Sequence, residues 1–262
     1  MPNYNKRAMD ILKYNIGDGV TAFSTKRGEP KGSYDSFNIT HYCGDAAEHV
    51  AACRAELCHT LGIPDERLIL PRQTHGCDIL HIDEVFIAKS REEQTAALEG
   101  VDAIITTLPR TCIGVSTADC VPVLLCDTAR RVVAAVHAGW RGTVAKITEK
   151  CLATMQERYG SHTSDVRAVI APSIGLEAFE VGNEVYEAFA AAGFPMESIA
   201  QKRDKWHIDL WEANRLQLLS CGVKAENIEV AGICTHSCHR EFFSARRLGI
   251  NSGRIFNGIM LE

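Results

Sequence analysis

Apolar and polar positions divide this chain into short strands, a few helices and polar connections. The densest apolar stretch, Ala118–Gly142, reads ADCVPVLLCDTARRVVAAVHAGWRG. It predicts two strands, Val121–Cys126 and Arg131–His137, joined by the polar turn Asp127-Thr128-Ala129-Arg130. Pairing Cys126 with Arg131 in an antiparallel hairpin sets Cys120 opposite His137, with Cβ atoms roughly 4.5–5.5 Å apart on one face. A thiolate and an imidazole at that spacing can share a metal, at about 2.3 Å for Zn–S and about 2.0–2.1 Å for Zn–N. A one-residue slip in register would turn one of them away. The competing reading is a buried cysteine beside an idle strand-end histidine.

Before this hairpin, Val20–Thr25 (VTAFST) predicts a strand and Lys26–Asn38 a loop. From Asp45 to Leu61, Val50, Cys53, Leu57 and Leu61 recur at helical spacing, with Asp45 as the N-cap and Gly62 as the stop. Arg67–Leu70 predicts a strand that leads into the polar turn Pro71–Gly76, which carries His75. Ala103–Thr107 and Cys112–Val115 predict buried strands, the second running into Cys120.

After His137, one helix is predicted with Val144, Ile147, Cys151 and Met155 as its apolar stripe and Gly160 as its end. The strand, the glycine-flanked turn and the helix start form an anion-binding pattern, to which Arg141 adds a planar cation. An ordinary tight turn is the alternative there. Further strands are predicted at Val166–Ile170 and Ile228–Cys234, and helices at Val181–Ala192 and, capped by Asp209 and closed by Gly222, at Leu210–Ser220. Cys234, His236, Cys238 and His239 are too close in sequence for the separated ligand pairs of a structural zinc site. The pattern is that of an α/β (α+β) sandwich, with mixed β-sheets covered by three or four helices.

Composition narrows the function classes. The chain of 262 residues shows no linker-like tract or repeat, which predicts a single domain over residues 1–262. Its formal charge of −5 comes from interspersed acidic and basic residues, which argues against nucleic-acid or membrane partners. Neither a signal-peptide core nor a membrane-length apolar run is visible. Eleven cysteines, mostly within apolar segments, read as reduced residues of a cytoplasmic protein.

QTHG at Gln73–Gly76, TADCVPVLL at Thr117–Leu125 and HAGWRG at His137–Gly142 resemble the signature blocks of the YfiH-type, or laccase-domain (multicopper polyphenol oxidase-like), family. Weaker matches include Phe23–Thr25, Ser36–Asn38, Gly182–Val185, Asp209–Val223 and the FFSARR run ending at Arg247. The segment APSIGLEAFEVG and Ala245 depart from the usual family pattern, which bears on substrate detail more than on the metal site.

The resemblance implies a CNF-toxin/YfiH-like cysteine-hydrolase-type fold and a catalytic Zn²⁺ held by His75, Cys120 and His137. Two histidines and one cysteine leave the fourth tetrahedral position open. It further implies phosphorolysis of purine nucleosides (adenosine, inosine, guanosine and 5′-methylthioadenosine), with adenosine deamination as a companion activity. Water activated at zinc would account for attack on C6 of adenine. Asn38, Arg72, Gln73, Asp119, Arg141 and Arg247 become the expected substrate and phosphate residues. The partners implied are small nucleosides and phosphate, with the protein a monomer or weak homo-oligomer.

Rival readings use the same residues. A zinc amidase editing peptidoglycan precursors would need the same centre. A metal-free hydrolase would use Cys120 as nucleophile and His137 as base. A non-enzymatic interaction module has no need of an open metal site. Copper-based polyphenol oxidation fits less well than zinc: blue-copper oxidases use H-x-H pairs, and the ten histidines form none.

Overall fold

A computed structural model describes residues 10–29, 31–35 and 37–262. The first nine residues of the opening segment and Ser36 of the Ser36–Asn38 block lie outside the described residues. The larger of two main sheets has six strands in the order Ile228–Val230, Arg167–Ile170, Val121–Asp127, Val132–Ala138, Val101–Thr106 and Asp78–Ile82. Its outer pairs are parallel and its three inner pairings antiparallel. The second sheet has five strands in the order Ile11–Tyr14, Val20–Thr25, Ile255–Leu261, Cys112–Thr117 and Leu68–Ile69. A small third sheet joins Glu180–Val181, Trp206–Ile208 and Ala200–Lys202.

The two main sheets pack face to face. Leu124, Cys126, Val133 and Ala135 from one meet Ile113, Val115 and Ile259 from the other. The alternate residues Val123, Leu125, Ala134 and Val136 face the helices Ile147–Tyr159 and Leu210–Ser220, through Cys151, Met155, Ala213 and Leu218. The far face of the five-stranded sheet carries Phe23, Cys112 and Phe256 against Cys53 and Leu57 of the helix Ala47–Leu61. The result is a helix–sheet–sheet–helix sandwich, the predicted class. Strands covered on both faces explain why VPVLLC and VVAAV read as continuous apolar runs instead of alternating.

The hairpin differs from the predicted one by two residues. Asp127 belongs to the first strand and pairs with Val132, so Pro122, not Cys120, lies opposite His137. The fully buried Asp127 explains the shift: its carboxylate accepts from the Arg130 amide at 3.1 Å and pairs with the Arg130 guanidinium at 3.3 Å. The turn therefore ends on Arg131, in the left-handed region at φ 51°. Because the slip is even, Cys120 and His137 stay on the same side of the sheet.

Other predicted boundaries shift for local reasons. Ala46, not Asp45, occupies the N-cap of Ala47–Leu61, since one Asp45 oxygen serves both His49 Nδ1 and Asn38 Nδ2, each at 2.8 Å. Gly62 ends that helix in the left-handed conformation as predicted, at φ 64°. The single helix predicted after His137 is two, Trp140–Val144 and Ile147–Tyr159. They are broken at Lys146, whose φ is 63°. Gln217 Nε2 takes the Thr143 carbonyl at 3.0 Å, and Lys146 sits with Nζ 3.6 Å from the Phe194 ring centre.

Val181 lies in the small sheet, so the helix there is Asn183–Ala191, and the last predicted strand stops at Val230. Arg67 falls in a short 3-10 turn, leaving Leu68–Ile69 as the strand. Among the described residues five helices have eight or more residues, against the three or four predicted, because Arg91–Leu98 is a polar surface helix with no apolar stripe to announce it.

Candidate metal centre and its cavity

Two of the three candidate ligands sit where the chain crosses between the main sheets. Residues 118–120 connect Cys112–Thr117 of the smaller sheet to Val121–Asp127 of the larger. Residues 70–77 connect Leu68–Ile69 to Asp78–Ile82 in the same sense. Cys120 and His75 thus meet at the end of the sandwich, where His137 points out of its own strand. The ligand atoms of His75, Cys120 and His137 all lie within 4.8 Å of one another, with His75 exposed, Cys120 half-buried and His137 buried.

The His75 Nε2 to Cys120 Sγ distance is 3.7 Å. A tetrahedral zinc shared by one nitrogen and one sulfur would separate them by about 3.6 Å, from the usual bond lengths. The donor set of two imidazoles and one thiol therefore fits zinc in type, and the His75–Cys120 pair fits it in spacing. Among the described residues, Cys234, His236, Cys238 and His239 do not gather ligand atoms in this way.

Asp102 holds this group together. It is fully buried in Val101–Thr106, one position beyond the pairing of Ala103 with Val136, which makes it the cross-strand neighbour of His137. Its Oδ1 accepts from His137 Nδ1 at 2.7 Å and from the His75 amide at 3.0 Å. Its Oδ2 accepts from the amides of Gly76 at 2.7 Å and Thr74 at 3.2 Å. Three successive amides closing on one carboxylate keep His75 in the left-handed region, at φ 65°. The bond to Nδ1 fixes the His137 tautomer and leaves Nε2 for the site. Burial alone would raise the Asp102 pKa, but the His137 contact and the amides hold it below the usual carboxylate value.

The same contacts polarise Cys120. Burial pushes its thiol up, yet the charge and hydrogen bond of His137, together with His75, outweigh burial and bring it down to about 6. His137 moves the other way: burial lowers it, but Cys120 and Asp102 carry it up to about 9.

Gly139 supplies the clearance. Its φ of −60° needs no glycine, but a Cβ there would stand 3.0 Å from His75 Cδ2 and 3.1 Å from Cys120 Sγ. Gly139→Ala should therefore push the ligands apart and weaken zinc binding by about tenfold or more, comparable to the loss of an outer-shell contact. Competition against a chromogenic chelator measures this; an unchanged affinity would mean that the ligands do not converge beside Gly139.

The centre opens on a cavity of about 530 Å³. Trp140, Ile174, Phe179 and Leu210 give it apolar and aromatic walls, while Arg246 and Arg254 add positive charge. Of the predicted substrate residues, Gln73 and Asp119 line it. Gln73 ties the His75 loop to the Cys112–Thr117 strand, donating to the Ser116 carbonyl at 2.7 Å and accepting from its amide at 3.0 Å. The other four do not reach the lining. Arg72 pairs with Glu99 at 3.0 Å, Arg141 stacks its guanidinium 4.3 Å from the Trp140 ring centre, Arg247 is exposed, and Asn38 is buried behind the wall.

Sequence reasoning missed Asp102, Arg246 and Arg254. For Asp102 there was a signal: a carboxylate inside the apolar run VDAIIT must find a buried partner. Arg254 carried none.

A family model described as multi-copper polyphenol oxidoreductase laccase matches residues 20–262. The chain belongs to this laccase-domain family. Among its laccase-domain relatives, a purine nucleoside phosphorylase of Bacteroides thetaiotaomicron is 46% identical over 98% of this chain and 97% of its own. Adenosine deaminase RL5, from an unknown prokaryotic organism, is 47% identical over 92% of this chain and 94% of its own. The crystal structure of YlmD from Geobacillus stearothermophilus superposes with a TM-score of 0.90 at 30% identity, covering 98% of both chains. The YlmD structure shares the predicted fold over nearly the whole length, and the names of the first two relatives indicate enzymes acting on small molecules. No described helix is long and apolar enough to cross a membrane.

Proposed function

We propose that this chain is a zinc-dependent purine nucleoside phosphorylase, acting on adenosine, inosine, guanosine and 5′-methylthioadenosine, with adenosine deamination as a companion activity. One arrangement carries the reading: His75, Cys120 and His137, whose candidate ligand atoms converge within 4.8 Å of one another on the wall of a cavity of about 530 Å³. That volume lies within the roughly 300–1,000 Å³ of small-molecule sites, and the aromatic lining suits a purine. The names of the two relatives point to the same pair of reactions. We further propose a cytoplasmic location, in keeping with eleven cysteines that form no disulfide, and a monomer or weak homo-oligomer.

Zinc held by His75, Cys120 and His137 would supply a Lewis acid. The chain's own residues do the rest. Asp102 orients both histidines, Gly139 leaves the approach clear, and the apolar walls exclude water from the purine. Copper-based phenol oxidation remains the weaker reading, because a single three-residue donor group lacks the H-x-H pairs of blue-copper oxidases. The test is incubation of zinc-loaded protein with nucleoside and phosphate, with chromatography of products. Free base and ribose 1-phosphate are expected; their absence beside active phenol oxidation or amide hydrolysis would reject the reading.

A second reading has its own observation: Cys120, His137 and Asp102 also form a cysteine–histidine–carboxylate arrangement with a depressed thiol. Thiol alkylation separates the two. The thiolate is the basic form, so in metal-free protein Cys120 alkylation should rise as pH climbs through about 6 and then level off, where an ordinary thiol keeps climbing towards its value of 9.0. Zinc should protect the thiolate, and a chelator should abolish turnover until Zn²⁺ is returned. Chelator-insensitive turnover with fast alkylation of the active protein would favour the cysteine mechanism.

A further inference from the structure

Of the residues lining the cavity, Asp119 is the only carboxylate, and both of its oxygens are engaged. Oδ1 accepts from Thr235 Oγ1 at 2.7 Å and Oδ2 from the Arg246 amide at 2.7 Å. The cations on the same wall have no carboxylate partner among the described residues. Arg246 Nη1 donates to the Glu180 carbonyl at 3.1 Å, while the Glu180 carboxylate is held by Lys205 at 2.8 Å. Arg254 donates to the carbonyls of Ser252, of Gly253 at 3.0 Å and of Ile250 at 3.0 Å. Arg254 is half-buried and held only by carbonyls, while Arg246 is exposed, lies 5.7 Å from the Phe179 ring centre and acts on the Glu180 carboxylate only at longer range; both face the cavity.

The backbones of these two arginines are held by two residues that the sequence had pointed to as substrate or phosphate contacts. Asp119 fixes the Arg246 amide, and it adjoins Cys120, so Arg246 is tied one residue from a metal ligand. Asn38 Oδ1 accepts from the Arg254 amide at 3.1 Å from behind the wall. Asn38 is itself fully buried and donates to Asp45 at 2.8 Å.

We infer that Arg246 and Arg254 form an oxyanion subsite of this cavity, for a phosphoryl group, with Asp119 and Asn38 as the residues that position them. Arginine forks match the geometry of phosphate oxygens, and the carboxylate that shares the cavity, Asp119, is taken up by Thr235 and the Arg246 amide and not by either guanidinium. The inference rests on the phosphorylase reading for its biological use, since phosphorolysis needs phosphate beside the sugar. Its physical content is independent of that reading. The phosphoryl group has two possible sources, free phosphate or the 5′-phosphate of a nucleotide.

Titration calorimetry of zinc-loaded protein with inorganic phosphate tests the subsite directly, with zinc content and thermal melting as controls on the fold. Arg254→Gln and Arg246→Gln are each expected to weaken phosphate by about ten- to a hundredfold, the usual range for losing a charged hydrogen bond. Arg254→Lys, which keeps the charge, should recover part of the loss. Asn38→Ser should raise the KM for phosphate several-fold with little change in the nucleoside KM; a merely structural role would instead lower kcat and disturb both. Adenosine 5′-monophosphate that competes with phosphate and weakens in the same variants would support the subsite with a nucleotide as source. Binding no tighter than that of adenosine, beside tight inorganic phosphate, would support it with free phosphate.

Wild-type phosphate affinity in both glutamine variants, or a loss confined to Arg141→Gln or Arg72→Gln, would overturn the assignment. Phosphate binding lost in the variants of a protein that performs no phosphorolysis would keep the subsite and reject the phosphorylase reading. Phosphorolysis with phosphate binding untouched would do the reverse.

Discussion

Cys120→Ala should take the zinc content of the purified protein from about one ion per chain to near none, and nucleoside turnover with it. The sulfur is the only anionic ligand of the three, and it joins two histidines that come from different parts of the fold. Without it, two imidazoles 4.9 Å apart at their ring centres would be left to hold the ion. Lewis-acid stabilisation is worth several kcal/mol, so turnover should fall by on the order of a thousandfold or more. Elemental analysis with a parallel nucleoside assay measures both. Full zinc occupancy in Cys120→Ala would put the site elsewhere, and the Cys234–His239 segment would be the next place to examine.

Asp102→Asn should damage both metal binding and stability, although it removes only one formal charge. The carboxylate accepts four hydrogen bonds, three from successive backbone amides and one from His137. An asparagine must turn its NH₂ group towards at least one of those donors, leaving buried donors facing each other. The cost is about 1–3 kcal/mol for each unsatisfied group. The His75 loop and the His137 tautomer lose their common anchor, and the loss of such an outer-shell partner typically lowers metal affinity by about ten- to a hundredfold. Asp102→Ala should be worse, because it empties the site altogether.

Chemical denaturation of the metal-free protein isolates the stability effect, and chelator competition isolates the metal effect. The pH dependence offers a further check. The Asp102 pKa is depressed in the fold, so its contribution to stability is present above the ordinary carboxylate value and is lost as pH falls through the lowered one. The variant should therefore show a flatter acid limb than the parent. A variant with parental melting and parental zinc affinity would show that the carboxylate organises neither histidine.

What could be read from the chain without its fold was governed by short-range physics. The strand Val20–Thr25, the helix stopped by Gly62 and the helix capped by Asp209 all follow from contacts within a few residues, and each has the predicted limits at those points. The sandwich class was legible because strands buried on both faces must be apolar at every position. His75, Cys120 and His137 were legible as a group through residue type and motif, and the cross-strand argument survived its two-residue error because side-chain direction repeats every two residues.

Tertiary structure alone decided how the site is assembled. Asp102 meets His137 through the pairing of two strands distant in sequence, and it meets the His75 loop because that loop crosses between sheets at the same end. Cations show the same limit. Arg72 and Arg141 stand next to the metal-site motifs in sequence, yet one is drawn off by Glu99 and the other lies against Trp140. Arg246 and Arg254, more than a hundred residues from Cys120, face the cavity instead. A long charged side chain goes wherever a counter-charge or an aromatic face lies within reach, and only the folded chain determines which of these are near.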